Sequence, residues 1–172
     1  MKQLLTIIAV ISLLSTGCNK SNPAPPSNNN SNNNNDYYFT AKIDGVDFSA
    51  DMNSSNTYAN VPHNGLLTIS AALTTVTDGF FLGNISNYNG AGTYTIGKGG
   101  NGSYIRYTSG SVGAGTYSAW KAEEPGSTTT GTIVITKDDA TVIEGTVQFD
   151  GYSEEKKTTK KITDGKFRMK KS

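Results

Sequence analysis

Short runs of alternating apolar and polar residues recur from residue 36 onward, and this period of two predicts β-strands. Glycine, asparagine and aspartate separate the runs, as expected of turns between strands. No run shows the apolar spacing of an amphipathic helix over a useful length. The predicted strands read YFTAKI, VDFSA, LLTISAAL, FFLGNI, TYTI, SYIRYT, TYSAW, TIVIT, IEGTVQFD and KFRMK. We therefore expect one all-β domain, a single antiparallel β-sandwich or β-barrel of about 8–10 strands.

The segment FTAKIDGVDFSA, residues 39–50, predicts a β-hairpin with a two-residue turn at Asp44-Gly45. The predicted register places Ile43 opposite Val46, Ala41 opposite Phe48 and Phe39 opposite Ala50 on one face, with Lys42 opposite Asp47 and Thr40 opposite Ser49 on the other. This register directs every apolar residue inward and sets opposite charges across from each other.

A second hairpin is predicted with its turn at residues 138–140. The predicted apolar face consists of Ile135, Ile143, Val147 and Phe149, with Ile135 opposite Ile143. In this register Glu144 points outward, opposite Val134.

The segment GAGTY occurs twice, at residues 90–94 and 113–117. In the first copy GTYTIGK, which begins at Gly92, matches part of a nucleotide-binding P-loop. A P-loop also needs Ser or Thr after the lysine and a helix that begins there, whereas Gly99 follows here. The second copy has no such lysine. We therefore expect both copies to be turns that lead into strands, and we expect no nucleotide binding.

The first 17 residues predict a lipoprotein signal peptide, because Lys2 precedes an apolar run, residues 4–14, that is too short to cross a membrane. The segment LSTGC resembles a bacterial lipobox, in which the peptide is cut before the cysteine and the sulfur carries lipid. Ser15 stands where a large aliphatic residue is usual, with Leu14 one place earlier. Cys18 is the only cysteine, so no intrachain disulfide can form. We expect Cys18 to carry palmitate-type acyl chains that hold the protein on a membrane.

Residues 18–35 are predicted to be a disordered linker, because they are rich in Asn and Pro and nearly lack apolar side chains. Residues 36–172 then form the all-β domain. Asn19 stands where aspartate would signal retention in the inner membrane, which favours the outer membrane of a Gram-negative bacterium. The sequence leaves open whether the domain faces the periplasm or the cell surface.

The patterns FTAKIDG, GxGTY, GTxxIT, IxGTxxF and ITxGxF along the chain are signatures of strands and turns. Together they resemble a family of small Bacteroidota lipoproteins whose domain is of unknown function. The resemblance covers nearly all of residues 37–170. It implies an all-β lipoprotein domain, and it brings no catalytic residue.

Few side chains offer catalytic chemistry. His63 is the only histidine and lies in the turn-like segment PHNG, which argues against a multi-histidine metal site and a Ser-His-Asp triad. Candidates for a glycosidase pair are the carboxylates of Glu123, Glu124, Glu144, Glu154 and Glu155. Their positions in turns, beside lysines or on an outward strand face favour solvated charges instead.

The segment DMNSSN, residues 51–56, begins like a calcium loop but lacks its glycine and glutamate. We expect no catalytic residue, no metal site and no cofactor.

Aromatic residues concentrate in the middle third of the predicted domain. Aromatic faces on a rigid β scaffold bind sugars and protein partners. The candidate ligand-binding residues are Trp120, Tyr117, Tyr104, Tyr107 and Tyr94. The alternative is a core role, which is common for a single tryptophan in a small domain. The sequence does not say which of these side chains share a face.

Charge is unevenly distributed along the chain. Residues 36–153 contain 5 basic and 11 acidic side chains, whereas residues 154–172 contain 8 basic and 3 acidic ones. The favoured interpretation is that the last lysines protect a sheet edge from pairing with other chains. They would alternatively contact an anionic membrane surface or an acidic polysaccharide. Nucleic acid is not expected as a partner of an exported chain with so little basic charge.

These observations favour a non-catalytic binding or accessory module on the outer membrane, with a glycan or an envelope protein as its partner. Two alternatives stay open. A lipocalin-like barrel would carry a small apolar ligand in its interior. A carboxylate-based glycosidase would need two carboxylates that face each other across a cleft.

Overall fold

The computed structural model describes residues 37–61, 65–73, 79–97, 102–111, 115–122 and 129–172. Eleven β-strands and no helix lie in these ranges, which confirms the all-β prediction. In the same ranges there is consequently no helix long and apolar enough to span a membrane. The strands are β1 Tyr38–Ile43, β2 Val46–Ser49, β3 Tyr58–Asn60, β4 Leu67–Ala72, β5 Phe80–Ile85, β6 Gly92–Gly97, β7 Tyr104–Ser111, β8 Thr116–Ala122, β9 Thr130–Asp138, β10 Val142–Ser153 and β11 Thr158–Lys170.

The strands form one antiparallel sheet that curls into a half-barrel. Hydrogen-bonded neighbours follow the order β2-β1-β11-β10-β8-β7-β5-β4-β3. Strand β10 is long enough to have two partners along one side. Its first part, Ile143 to Phe149, pairs with β9, and its last part pairs with β8 at Tyr152. Strand β6 pairs with the other side of β9.

The curl brings β3, at one end of the strand order, next to the last residues of β11. Ala59 and Lys171 form a parallel bridge. The backbone N–H of Ser172 donates to the carbonyl oxygen of Ala59 at 2.9 Å. These contacts satisfy part of the hydrogen-bonding capacity that an edge strand leaves open.

The hairpin between β1 and β2 has the predicted register. Its turn residues both have positive φ, 51° at Asp44 and 84° at Gly45, as a two-residue turn requires. The prediction that every apolar residue points inward is wrong for Val46, which is 71% exposed. Val46 lies beside the turn as the first residue of β2, the strand at one end of the strand order.

The hairpin between β9 and β10 exists, but its predicted register is wrong. Ile143 lies opposite Asp138, and Ile135 lies opposite Gly145. A β-bulge between Glu144 and Gly145 separates these two parts of the pairing. Ile143 and Ile135 are both buried, so the apolar face forms although its members are not directly opposite.

The turn of this hairpin lies nearer the C-terminus than the sequence suggested. The carboxylate of Asp139 accepts the backbone N–H groups of Thr141 at 2.9 Å and Val142 at 2.8 Å. The Asp139 N–H in turn donates to the Val142 carbonyl oxygen at 3.0 Å. These bonds centre the turn between Ala140 and Thr141 instead of at Asp139, and this displacement changes the register.

Both GAGTY copies lead into strands, as predicted. The first begins at Gly90, which has a φ of +86°, and enters β6 at Gly92. In the second, Gly115 has a φ of +67° and β8 begins at Thr116. The part of the P-loop match from Gly92 to Gly97 is strand β6, whereas its lysine lies outside the described residues.

Two elements were not predicted, namely β3 and the first half of β11. Residues 158–165 have one large apolar side chain, Ile162, so the alternation that marks a strand is weak there. Strand β11 lies between β1 and β10 and pairs with both. The interpretation that its lysines protect a sheet edge is therefore wrong, because β11 is not at an edge.

The core lies inside the curl and is rich in aromatic rings. Its rings belong to Phe39, Phe48, Phe81, Tyr88, Tyr107, Trp120, Phe149 and Phe167. The centroids of neighbouring rings are 4.9 Å apart for Phe48 and Phe81 and 6.4 Å apart for Phe48 and Tyr107. A void among Phe39, Phe81, Ile105 and Phe167 measures about 10 Å³, which is on the order of one water molecule.

Candidate functional site

Two of the predicted ligand-binding residues, Trp120 and Tyr107, belong to the core. Trp120 is 7% and Tyr107 is 6% exposed, and their rings stack with centroids 6.0 Å apart. The indole Nε1–H of Trp120 donates to the Thr158 hydroxyl at 3.1 Å. The single tryptophan thus has a packed ring and a satisfied polar atom, as expected of a residue with a core role instead of a ligand-binding role.

Lys160 covers the ring of Trp120. Its ammonium lies 4.9 Å from the ring centroid, within cation–π range. The same ammonium donates to the Asp44 carboxylate at 2.9 Å. The pair joins β11 to the turn between β1 and β2.

Tyr94 packs against Tyr88 instead of facing Trp120. The two ring centroids are 5.5 Å apart, and the Tyr94 hydroxyl donates to the Gly90 carbonyl oxygen at 2.7 Å. The Tyr88 hydroxyl donates to the Asp138 carboxylate at 2.8 Å, and Lys171 donates to the other oxygen of that carboxylate at 2.5 Å. Burial raises the pKa of Tyr88, and the nearby carboxylate raises it further. These contacts join β6, β9 and the end of β11.

Tyr104 and Tyr117 are the two candidates that lie outside the core. Tyr117 is 42% exposed on β8. Tyr104 is partly buried on the outer side of β7, and its hydroxyl accepts a hydrogen bond from the Asn84 amide at 2.9 Å. The five predicted residues therefore do not form one exposed cluster.

Strand alternation explains which side chains surround Tyr104. On β5 and β7 the core side chains occupy odd-numbered positions, such as Phe81 and Ile105. Even-numbered residues of these strands point outward. On β8 the core contains Trp120, so Lys121 points outward. The outward side chains that neighbour each other through strand pairing are Leu82, Asn84, Tyr104, Arg106 and Lys121, and we call this set the Arg106 face.

The Arg106 face contains two buried polar atoms that lack a hydrogen-bond partner. They are Oδ1 of Asn84 and Nε of Arg106. Across the described part of the chain these are the only buried side-chain nitrogen or oxygen atoms in that condition. Since buried polar groups are nearly always satisfied, the two atoms mark this face as the best candidate site.

Sequence reasoning selected Tyr104 but missed Asn84 and Arg106. The available signal was the alternation of SYIRYT, in which the arginine occupies the side opposite Ile105. That signal places Arg106 outward. It says nothing about whether a neighbouring strand supplies a carboxylate for it.

The three glutamates that the structure describes form ion pairs. Glu144 lies opposite Lys137 instead of Val134, and it pairs with both Arg168 and Lys137. Glu154 and Glu155 form exposed ion pairs with neighbouring lysines. No three His, Cys, Asp or Glu side chains among the described residues lie close enough to hold a metal ion. His63, Glu123, Glu124 and Cys18 lie outside the described residues.

The fold and these contacts define an all-β domain whose candidate site is a polar outer face of the sheet. The chain belongs to the family described as a domain of unknown function, DUF6252, which matches residues 35–169. This membership confirms the expectation of a family without an assigned function. No curated protein matches the chain, and no solved structure matches it.

Proposed function

We propose that this protein is a lipoprotein of the bacterial outer membrane whose β domain is a non-catalytic binding module. Residues 1–17 would be the signal peptide, Cys18 the lipid attachment site and residues 18–35 the linker. The basis for the anchor is the apolar leader that ends in LSTGC and the absence of any other cysteine in the sequence.

The Arg106 face is the proposed binding site, and a glycan is the proposed ligand. The observation that carries this proposal is the pair of unpartnered atoms, a donor on Arg106 and an acceptor on Asn84, beside an aromatic ring. Sugars offer both acceptors and donors at short spacing, and their C–H faces pack on aromatic and aliphatic side chains. Tyr104 and Leu82 supply such surface on this face.

A glycan array probed with the whole chain, purified in a nonionic detergent, tests this function. We expect binding that Tyr104→Ala weakens by about tenfold, the effect of losing one anchoring aromatic contact. Tyr38→Ala is the matched control, because Tyr38 is an exposed tyrosine on β1, away from this face. A silent array would overturn the glycan proposal. Equal losses in the two variants would overturn the assignment to this face.

The anchor has its own test. Cells that express the chain and grow with radioactive palmitate should label it, and Cys18→Ala should abolish both the label and sedimentation with outer membranes. Label that persists in Cys18→Ala would contradict the proposed attachment site.

The two alternatives have less support among the described residues. A carrier of apolar ligands needs an interior cavity, and the core void measures about 10 Å³. A glycosidase needs a pair of carboxylates that face each other across a cleft, and the described glutamates pair with lysine or arginine instead.

A further inference from the structure

Arg106 is a cation that has no counter-charge among the described residues. No hydrogen bond or ion pair joins its guanidinium to a described residue, and its Nε is buried. The other arginine of the chain, Arg168, pairs with Glu144. A partly desolvated charge costs free energy unless an opposite charge and hydrogen bonds compensate it.

Neither strand next to Arg106 supplies a carboxylate. Strand pairing places Lys121 directly opposite Arg106 on β8. On the other side of Arg106, β5 supplies the apolar Leu82. An anion on the guanidinium of Arg106 would supply the opposite charge and the hydrogen bond that its buried Nε lacks.

The polar groups next to Arg106 restrict which other functional groups an anionic ligand must have. Asn84 uses its amide N–H₂ on the Tyr104 hydroxyl, which leaves its buried Oδ1 in need of a donor. A ligand that satisfies the whole face must therefore offer an acidic group to Arg106 and a hydroxyl to Asn84, close together.

We propose that the Arg106 face binds an acidic saccharide, with a sugar carboxylate on the guanidinium of Arg106 and a ring hydroxyl on Oδ1 of Asn84. This inference rests on the proposed glycan-binding function and names its ligand class. A guanidinium and a carboxylate match as a planar, two-bond pair, which a neutral sugar cannot provide. Tyr104 and Leu82 contact the apolar face of the ring.

The test uses a short galacturonic acid oligomer and its methyl ester, which differ only in charge, titrated calorimetrically into the whole chain in nonionic detergent. We expect the acid to bind at least about tenfold more tightly than the ester, the effect of one charge-assisted hydrogen-bonded pair. Arg106→Gln should remove that preference. Arg106→Lys, which keeps the charge but loses the planar pair of donors of the guanidinium, should retain part of the preference for the acid.

Arg168→Gln is the matched control, because it removes the same charge from β11, where Glu144 already neutralises it. Preference for the acid that survives in Arg168→Gln and is lost in Arg106→Gln supports the inference. Equal binding of acid and ester, or equal loss in both variants, overturns it and leaves glycan binding intact. A wild-type chain that binds neither oligomer, together with a silent glycan array, overturns the inference and the proposed glycan-binding function together.

Discussion

The ammonium of Lys160 lies 4.9 Å from the centre of the Trp120 ring and closes one side of the aromatic core. Trp120 is 7% exposed, and its ring stacks on the ring of Tyr107, another core residue. A residue that the sequence offered as a ligand contact is thus held between a core ring and a lysine. Trp120 can therefore serve as a probe of the packing in this part of the sheet.

Lys160→Gln should lower the free energy of unfolding by about 1 kcal/mol, because it removes the cation–π contact with Trp120 together with the half-exposed ion pair to Asp44. Urea unfolding followed by the fluorescence of Trp120, the only tryptophan, measures this change. Lys156→Gln is the control, since Lys156 has an exposed ion pair and its loss should change stability by less than about 0.5 kcal/mol. Equal effects of the two variants would contradict a contribution from the ring contact.

Stability should fall in acid partly through Asp44. The backbone N–H of Lys161 and then the ammonium of Lys160 lower the pKa of Asp44 below its ordinary value of 3.8. A lowered pKa in the folded state means that the contribution is complete above the unfolded pKa and is lost as the pH falls through the folded pKa. We therefore expect Asp44→Asn to be less stable than wild type at neutral pH.

The difference between wild type and Asp44→Asn should shrink as the pH falls below about 4, which a series of unfolding curves at different pH values measures. Asp47→Asn is the matched control, because it removes a carboxylate from the exposed side of the same hairpin. A difference that stays constant from neutral to acid pH would contradict the assigned role of the Asp44 carboxylate.

Glycine is required at position 145 by packing and at position 45 only by backbone conformation. A β-carbon on Gly145 would overlap the Val134 carbonyl oxygen and lie 2.7 Å from Cζ of Phe167. Gly145→Ala should therefore cost about 3 kcal/mol of stability through overpacking. Gly45→Ala meets no atom within 4 Å, so its cost should be about 1 kcal/mol, from the φ of +84° alone. Thermal or denaturant unfolding ranks the two, and the reverse order would contradict this packing.

The hydroxyl of Tyr88 should resist ionisation. Burial and the Asp138 carboxylate raise its pKa above the ordinary value of 10.0, so its stabilising contribution is present below that pH and is lost as the pH rises toward the folded pKa. Ultraviolet titration should therefore show one tyrosine that ionises late or only with unfolding. Tyr88→Phe should remove that signal and cost about 1.5 kcal/mol at neutral pH. A late-ionising tyrosine that persists in Tyr88→Phe would contradict the assignment, and Tyr38→Phe serves as the control.

Several features of this fold are local, and the sequence alone predicted them. Asp44-Gly45 fixes both the turn and the register of its hairpin, because the turn needs positive φ at two residues and the flanking alternation allows one pairing. The same alternation identified most strands. The predicted register of the β9-β10 hairpin is wrong because the hydrogen bonds of Asp139 move the turn toward the C-terminus and a bulge between Glu144 and Gly145 also shifts the pairing.

The candidate site depends on neighbours that are distant in the chain. Alternation places Trp120 and Lys121 on opposite sides of β8, but only the curl of the whole sheet decides which side is the interior. The sequence likewise could not reveal that β11 lies between β1 and β10, since the pairing of β1 with β11 joins residues more than a hundred positions apart.

The sequence by itself determined the strand content, the first hairpin and the absence of a catalytic histidine cluster, because each depends on residue type and short-range spacing. The tertiary structure decided that Trp120 is buried, that Arg168 has Glu144 as its partner and that no residue in the described ranges is such a partner for Arg106. Burial and charge pairing are properties of the surroundings of a side chain, and in a sheet of this topology strands far apart in sequence supply those surroundings.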